Sequence, residues 1–259
     1  MTTLLVAQGL LSFVPDALAR ILSLPVQILV ILLGYQMFVR FFEQRNVTEL
    51  DPKNSFPEVF QGGLIGVLLF CFTMIILWGF RSLEIIGLNA WSAVLPWLSL
   101  ALATSFIEEI LIRGVVFRLS EEALGTWPAL GLSALLFGGL HLFNPHASLL
   151  SSLAIGLEAG ILLGAAYILT RHLWLAIGLH FAWNFTESGI FGLALSGNES
   201  QGWLQTQLTG PDWLTGGSFG PEASIVAVIV CLVASYFLLE KAKQQGQIKA
   251  VRWKTPGGL

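Results

Sequence analysis

The sequence predicts an all-α bundle of seven transmembrane helices, or eight if an apolar N-terminal run also crosses the membrane. Three observations predict it. Only 11% of the 259 residues are charged, against roughly 25% in soluble domains. Mean hydropathy is +0.76. Apolar runs near the length of roughly 20 residues needed to span a bilayer recur along the chain.

In order, the runs cover 21–42, 62–80, 91–117, 127–143, 148–169, 173–191 and 223–240. The earlier run from Leu4 to Val14 has no basic residue before it and is closed by Pro15-Asp16, so it reads as neither a cleaved signal nor a full span. Seven spans place the connections after the first, third and fifth spans, and the C-terminal tail, on one side. Eleven basic residues fall there: Arg40, Arg45, Lys53, Arg113, Arg118, Arg171, Lys241, Lys243, Lys249, Arg252 and Lys254. Only Arg20 and Arg81 fall on the other. Positive charge marks the cytoplasmic face. The expectation is therefore a multi-pass protein of the plasma (inner) membrane, with the lipid bilayer as its solvent and the C-terminus cytoplasmic. Trp78, Trp91, Trp97, Trp127 and Trp174 lie near span ends, where amphipathic rings favour the interface.

Three units follow. Residues 1–90 hold N-terminal membrane segments with two spans, 91–191 a core that carries the polar residues, and 192–259 an outer loop, the final span and a basic tail. The outer stretch from Gly192 to Glu222 is long and polar, which suits either a functional or a loosely ordered loop. Gly156, Gly160 and Gly164 form overlapping GxxxG steps that let a neighbouring helix approach closely. A net charge of −3 with scattered Lys and Arg leaves no footprint for nucleic acid. Cys71 and Cys231 lack the spacing of a metal site or disulfide framework and read as core filler.

Chemistry must lie in the few polar groups inside the spans, because each costs roughly 2.5 to 3.5 kcal/mol to insert. These are Glu108, Glu109 and Arg113 in span three, His141 in span four, Glu158 in span five, and His180, Asn184 and Glu187 in span six. Glu109 and Arg113, four apart, share a helix face and can form an ion pair. Glu108 points about 100° away and is the unpaired acid, suited to act as a general base. His180 and Asn184 share a stripe of their helix. Counted at 1.5 Å per residue from the cytoplasmic ends, Glu108, His141, His180 and Asn184 lie roughly 10 to 21 Å deep and could meet in one cavity. Glu158 is expected to line it or to pair with a neighbour, and Glu187 to sit at its rim. His146 and His172 read as solvated loop histidines, and Arg118, Glu121 and Glu122 as a solvated helix end. There is no HExxH, no aspartate inside a span and no phosphate loop. Gly131-Leu132-Ser133-Ala134 offers only a weak serine nucleophile.

The polar residues also carry a resemblance. Glu108-Glu109-Ile110-Leu111-Ile112-Arg113 resembles an EExxxR motif, Phe137-Gly138-Gly139-Leu140-His141 an FxxxH motif, and His180-Phe181-Ala182-Trp183-Asn184 an HxxxN motif. Together, in this order over about residues 91–191, they resemble the CPBP family of CAAX proteases and bacteriocin-processing enzymes. These are intramembrane endopeptidases related to the type II CAAX prenyl endopeptidase, with bacterial members called Abi proteins. The segment Gly216-Gly217-Ser218-Phe219-Gly220-Pro221-Glu222 also resembles one in bacterial members, less specifically.

The resemblance implies a hydrolase acting on a membrane-associated peptide, by CAAX-type C-terminal processing or by removal of a bacteriocin leader. Glu108 would activate water, His141 would share that water or a metal position, and His180 with Asn184 would stabilise the oxyanion. Glu109 and Arg113 would orient the first motif. Glu108, His141 and His180 could supply the three ligands of a catalytic zinc; a metal-free scheme in which Glu108 and His141 polarise water directly is equally compatible. Ile112 departs from the aromatic residue common before the arginine, which touches packing and not chemistry. Two other readings compete: a non-catalytic scaffold or immunity protein of the same family, which would not need all four cavity residues, and a small proton-coupled transporter, for which no inverted repeat appears.

Overall fold

The computed structural model describes residues 16–251; the apolar run Leu4–Val14, and with it the eighth span, lies outside them, as do Arg252 and Lys254. The described residues are mostly helical, 74%. α1 (Asp16–Phe38) ends in a π turn to Glu43, and α2 (Ser55–Gly79) follows. A strand, β1 (Leu83–Leu88), precedes α3 (Leu95–Glu109), which continues through a π segment, Ile110–Phe117, into α4 (Arg118–Leu124). α5 (Thr126–Leu140) ends in a 3-10 turn at His141–Phe143. α6 (Leu149–Ile155) and α7 (Ile161–Thr170) are joined by a π segment, Gly156–Gly160, and α8 (Trp174–Asn184) runs into another, Phe185–Ile190. β2 (Leu204–Leu208), the one-turn α9 (Asp212–Thr215) and the final helix α10 (Ile225–Gln244) complete the order.

Among the described residues, five helical stretches are long and apolar enough to cross a membrane: Ser23–Glu43, Pro52–Gly79, Thr126–Phe143, Leu149–Thr170 and Ile225–Gln244. The expected count of seven is not reached. The other two expected spans exist as helices, but they are the polar-bearing ones: the helix of Glu108, Glu109 and Arg113, and the helix of His180, Asn184 and Glu187. The latter is buried along nearly its whole length from Leu175 to Ser188. α2 and α10 instead turn Leu64, Leu68, Phe72, Ile229, Val233 and Phe237 outward, as lipid-facing surfaces require.

The all-α expectation needs one correction. β1 and β2 pair antiparallel, Leu83 with Leu208 through to Leu88 with Leu204, with a bulge between Ile85 and Gly87. Pairing over more than a hundred residues of sequence leaves no local signal. It also orders the long loop, whose Trp203 N–H donates to the Gly189 carbonyl and whose Asn89 partner donates to the Gly202 carbonyl.

Glycines set the closest approaches. A Cβ at Gly62 would overlap the Leu175 carbonyl, and one at Gly178 the Val59 carbonyl, so α2 and α8 are in backbone contact. The GxxxG glycines do what their spacing suggests: Cβ atoms at Gly156 and Gly160 would each lie 2.9 Å from Ala134 backbone atoms on α5. This seats Glu158 against the centre of the bundle.

The basic connections converge on one end. Arg45, Arg118, Arg171 and Lys249 meet the acids Glu43, Glu49 and Glu121 there. Arg118 and Glu121 are buried, which corrects the expected solvated helix end: Thr126 Oγ1 donates to Glu121 at 2.6 Å, and Arg171 and Lys249 lie at 2.6 and 3.0 Å. Their partners Glu43, Arg171 and Lys249 are distant in sequence, so the helix end looked solvated. His172 is likewise not free, since its Nδ1 lies 2.7 Å from Glu58 Oε1.

Candidate active site

A cavity of about 270 Å³ brings together Glu108, His141, His180 and Asn184, from α3, the end of α5 and α8. Leu100 and Thr104 from α3, Ile155 and Leu162 from the α6–α7 helix, and Trp183 supply much of the remaining wall. Small size and a mixed wall suit a peptide group with one or two side chains, since pockets for drug-sized ligands run from about 300 to 1,000 Å³.

Behind Glu108 lies a fully buried support. Arg113 Nη1 donates to Glu109 Oε1 at 2.7 Å, both side chains being fully buried, as their i,i+4 spacing predicts. Arg113 Nη2 donates to the carbonyls of Ala159 and Gly160 at 3.1 and 3.0 Å, and its guanidinium lies 4.8 Å from the centre of the Phe137 ring. One residue therefore ties α3, α5 and the π segment of the α6–α7 helix together. The same Glu109 Oε1 lies 2.9 Å from His180 Nδ1. A carboxylate only accepts, so Nδ1 carries the proton and donates, leaving Nε2 for the cavity. Nε2 lies 3.9 Å from Glu108 Oε2. His141 is oriented in the same way, with Nδ1 2.7 Å from the Phe137 carbonyl, which can only accept. Its Nε2 is thereby the basic nitrogen.

Three π segments border this centre: Ile110–Phe117 directly after Glu108 and Glu109, Gly156–Gly160 around Glu158, and Phe185–Ile190 directly after Asn184. Single π turns inside α-helices recur at functional sites because they rotate the following side chains off the regular face. Ile112, the departure from the motif, is buried beside Phe137, Ile155 and Phe219, a packing role.

The expected depth is corrected. Asn144, Leu195, Ser196, Asn198 and Glu222 also line the cavity, and all come from connections at the end opposite the basic cluster. The reason is the length of the Glu108 helix. It runs on to Leu124, not 117, so Glu108 stands roughly 24 Å from that end at 1.5 Å per residue, and the cavity is displaced away from the basic end.

Sequence reasoning missed Glu222, Ser196 and Asn198. The only signal was the glycine-rich turn before Glu222: Gly220 has φ +124°, and a Cβ there would overlap the Ala194 carbonyl. That close approach brings Glu222 to the cavity. Burial raises the Glu222 carboxyl above its ordinary range, with hydrogen bonds from Ser196 pulling the other way. Glu158 lines the cavity, as expected, and accepts from Cys231 Sγ at 3.2 Å, so this cysteine does more than fill space. Glu187 is not at a rim. It is fully buried and accepts from Trp183 Nε1 at 3.0 Å. Ser133 is buried, donates to the Leu130 carbonyl at 3.1 Å and does not line the cavity, which removes it as a nucleophile.

Among the described residues no group of three His, Cys, Asp or Glu side chains is placed to hold a metal ion; Glu108, His141 and His180 share the cavity wall.

Fold and cavity together define a helical membrane protein with an acid, two histidines and an amide on one cavity wall. Residues 90–186 match the family model described as type II CAAX prenyl endopeptidase Rce1-like, a protease family. This match bears out the resemblance read from the three motifs, and all seven fixed motif residues from Glu108 to Asn184 fall inside it. No curated protein and no solved structure matches the chain.

Proposed function

We propose that the protein is an intramembrane endopeptidase that hydrolyses a peptide bond in a membrane-associated substrate, and that Glu108, His141, His180 and Asn184 perform the chemistry. The observation that supports it most is that these four residues, from three helices inside the matched domain, line one cavity. Water held between Glu108 and His141 Nε2 gives a proton to Glu108 as it attacks the scissile carbonyl carbon. The tetrahedral oxyanion is held by the Asn184 carboxamide and, when its ring carries a second proton, by His180 Nε2–H. Collapse breaks the C–N bond as Glu108 returns the proton to the leaving amine. Glu109 and Arg113 hold His180 and act only through it. No step passes through a metal.

The helices of Glu108 and His180 complete a seven-helix bundle in this reading. The basic end faces the cytoplasm in an inner membrane. The substrate is a CAAX-like hydrophobic C-terminal segment or a leader peptide.

The test is cleavage of prenylated and unprenylated hydrophobic peptides by the full-length protein in liposomes, with products mapped by mass spectrometry. Cleavage should vanish in Glu108→Gln and His141→Ala and survive exhaustive chelation checked by metal analysis. Undiminished cleavage by either variant would overturn the assignment, and loss on chelation reversed by zinc would replace the metal-free scheme.

A further inference from the structure

The cavity holds more acid than hydrolysis uses. Glu158 and Glu222 lie on its wall from different elements, the first on the π segment after α6 and the second in the turn before α10. Both are nearly inaccessible, 2% and 3% exposed. Glu187 stands close behind them, with one oxygen 3.3 Å from where a Gly220 Cβ would be. Among the described residues no Lys or Arg forms an ion pair with any of these three. The nearby Arg113 donates from Nη1 to Glu109 and from Nη2 to the Ala159 and Gly160 carbonyls, and its buried Nε has no hydrogen-bond partner. Glu222 Oε1 and Glu187 Oε1 are buried without a hydrogen-bond partner. Unpaired buried carboxyls are costly, and the cost falls when a cation enters.

We propose that Glu222 and Glu158 form a subsite for a cationic side chain, lysine or arginine, of the peptide bound in the cavity. The inference rests on the endopeptidase reading and deepens it by naming a substrate class: hydrophobic segments with one basic residue close to the scissile bond. A buried carboxylate offers a long basic side chain a charge-assisted hydrogen bond. The apolar lining from Ile155, Leu162 and Leu195 fits the methylene stem. Glu187 stays behind, held by Trp183.

Binding separates this from catalysis. Full-length Glu108→Gln protein in nanodiscs is titrated with fluorescent hydrophobic peptides that are identical except for one lysine, one arginine or the uncharged norleucine, walked across the sequence. At one position a basic peptide should bind at least about tenfold tighter than its norleucine twin, the lysine and arginine arms showing which cation is preferred. The preference should disappear on adding Glu222→Gln, and on adding Glu158→Gln, each confirmed folded by its melting curve; the second change serves if the first does not fold. Equal binding of all three peptides overturns the subsite, and so does a preference that survives both changes. Wild-type turnover is read separately. A retained preference without cleavage would remove the endopeptidase reading and keep the subsite, whereas cleavage without preference would do the reverse.

Discussion

Arg113 is the residue on which the centre depends most. It is fully buried, and its donors reach Glu109 on its own helix and two carbonyls on another. Replacing it by alanine leaves Glu109 as a buried charge with His180 as its one remaining partner. Breaking a buried pair in this way costs about 3 to 5 kcal/mol, so Arg113→Ala should lower the melting temperature sharply or abolish folding in detergent. Lysine keeps the charge but loses the planar fork, and Arg113→Lys should fold with reduced activity. Asn184 gives a contrasting case, because its carboxamide lines the cavity and supports no other element. Asn184→Ala should keep the melting temperature and lower kcat about a hundredfold to a thousandfold, the effect of losing one oxyanion donor; an unchanged kcat would take it out of the mechanism. Spacing made these residues readable, since four-residue steps place Glu109 with Arg113 and His180 with Asn184. Glu222 follows no helical period and reaches the cavity through a turn that only the fold reveals.

The elements were readable to the extent that one property, continuous apolarity, made them. α1, α2, α5, the α6–α7 helix and α10 satisfy it, and they are the five that qualify as spans. The helices of Glu108 and His180 carry polar residues where the others are apolar, so run length alone misjudges them: the first ran seven residues past its expected end. β1 and β2 are too short and too far apart in sequence to have been seen. Helix contact is nevertheless specific and testable through glycine. A Cβ at Gly138 would overlap the Ser152 carbonyl, while one at Gly164 meets only the Leu130 Cδ1 methyl, the free end of a side chain. Gly138→Ala should therefore destabilise by about 1 to 3 kcal/mol, the usual cost of overpacking against something that cannot move. Gly164→Ala should cost less, and Gly131→Ala, with nothing within 4 Å, should cost nothing. Thermal unfolding of the three variants in one detergent checks the order; equal losses would mean that α5 and α6 do not meet through backbone.

At the scale of the whole molecule, charge is concentrated at one end. The segments carrying Arg45, Arg118, Arg171 and Lys249 are distant in sequence, and four-residue periodicity could not show that they clamp the same acids. Glu49 and Glu121 are the anchors. Burial opposes their ionisation, but the Arg45 guanidinium and the Tyr35 hydroxyl on Glu49, and Arg171, Thr126 and Lys249 on Glu121, outweigh it and hold both carboxyls below their ordinary range. The sign follows from linkage. A carboxyl whose pKa is depressed on folding adds stability at any pH above its unfolded value, and that stability is lost as pH falls through the folded one. The stability that these two carboxyls supply should hold from neutral pH down to the ordinary carboxylate range near 4.5, then fall steeply with further acid. Glu121→Gln should lower the neutral melting temperature and flatten this acid limb, because its proton no longer has to be taken up on unfolding the clamp. Differential scanning calorimetry of both proteins between pH 7 and 3 decides it: parallel acid limbs would show that the clamp through Glu121 does not join the tail segment at Gln247 and Lys249 to the bundle energetically, although Arg171 and Thr126 reach both in space.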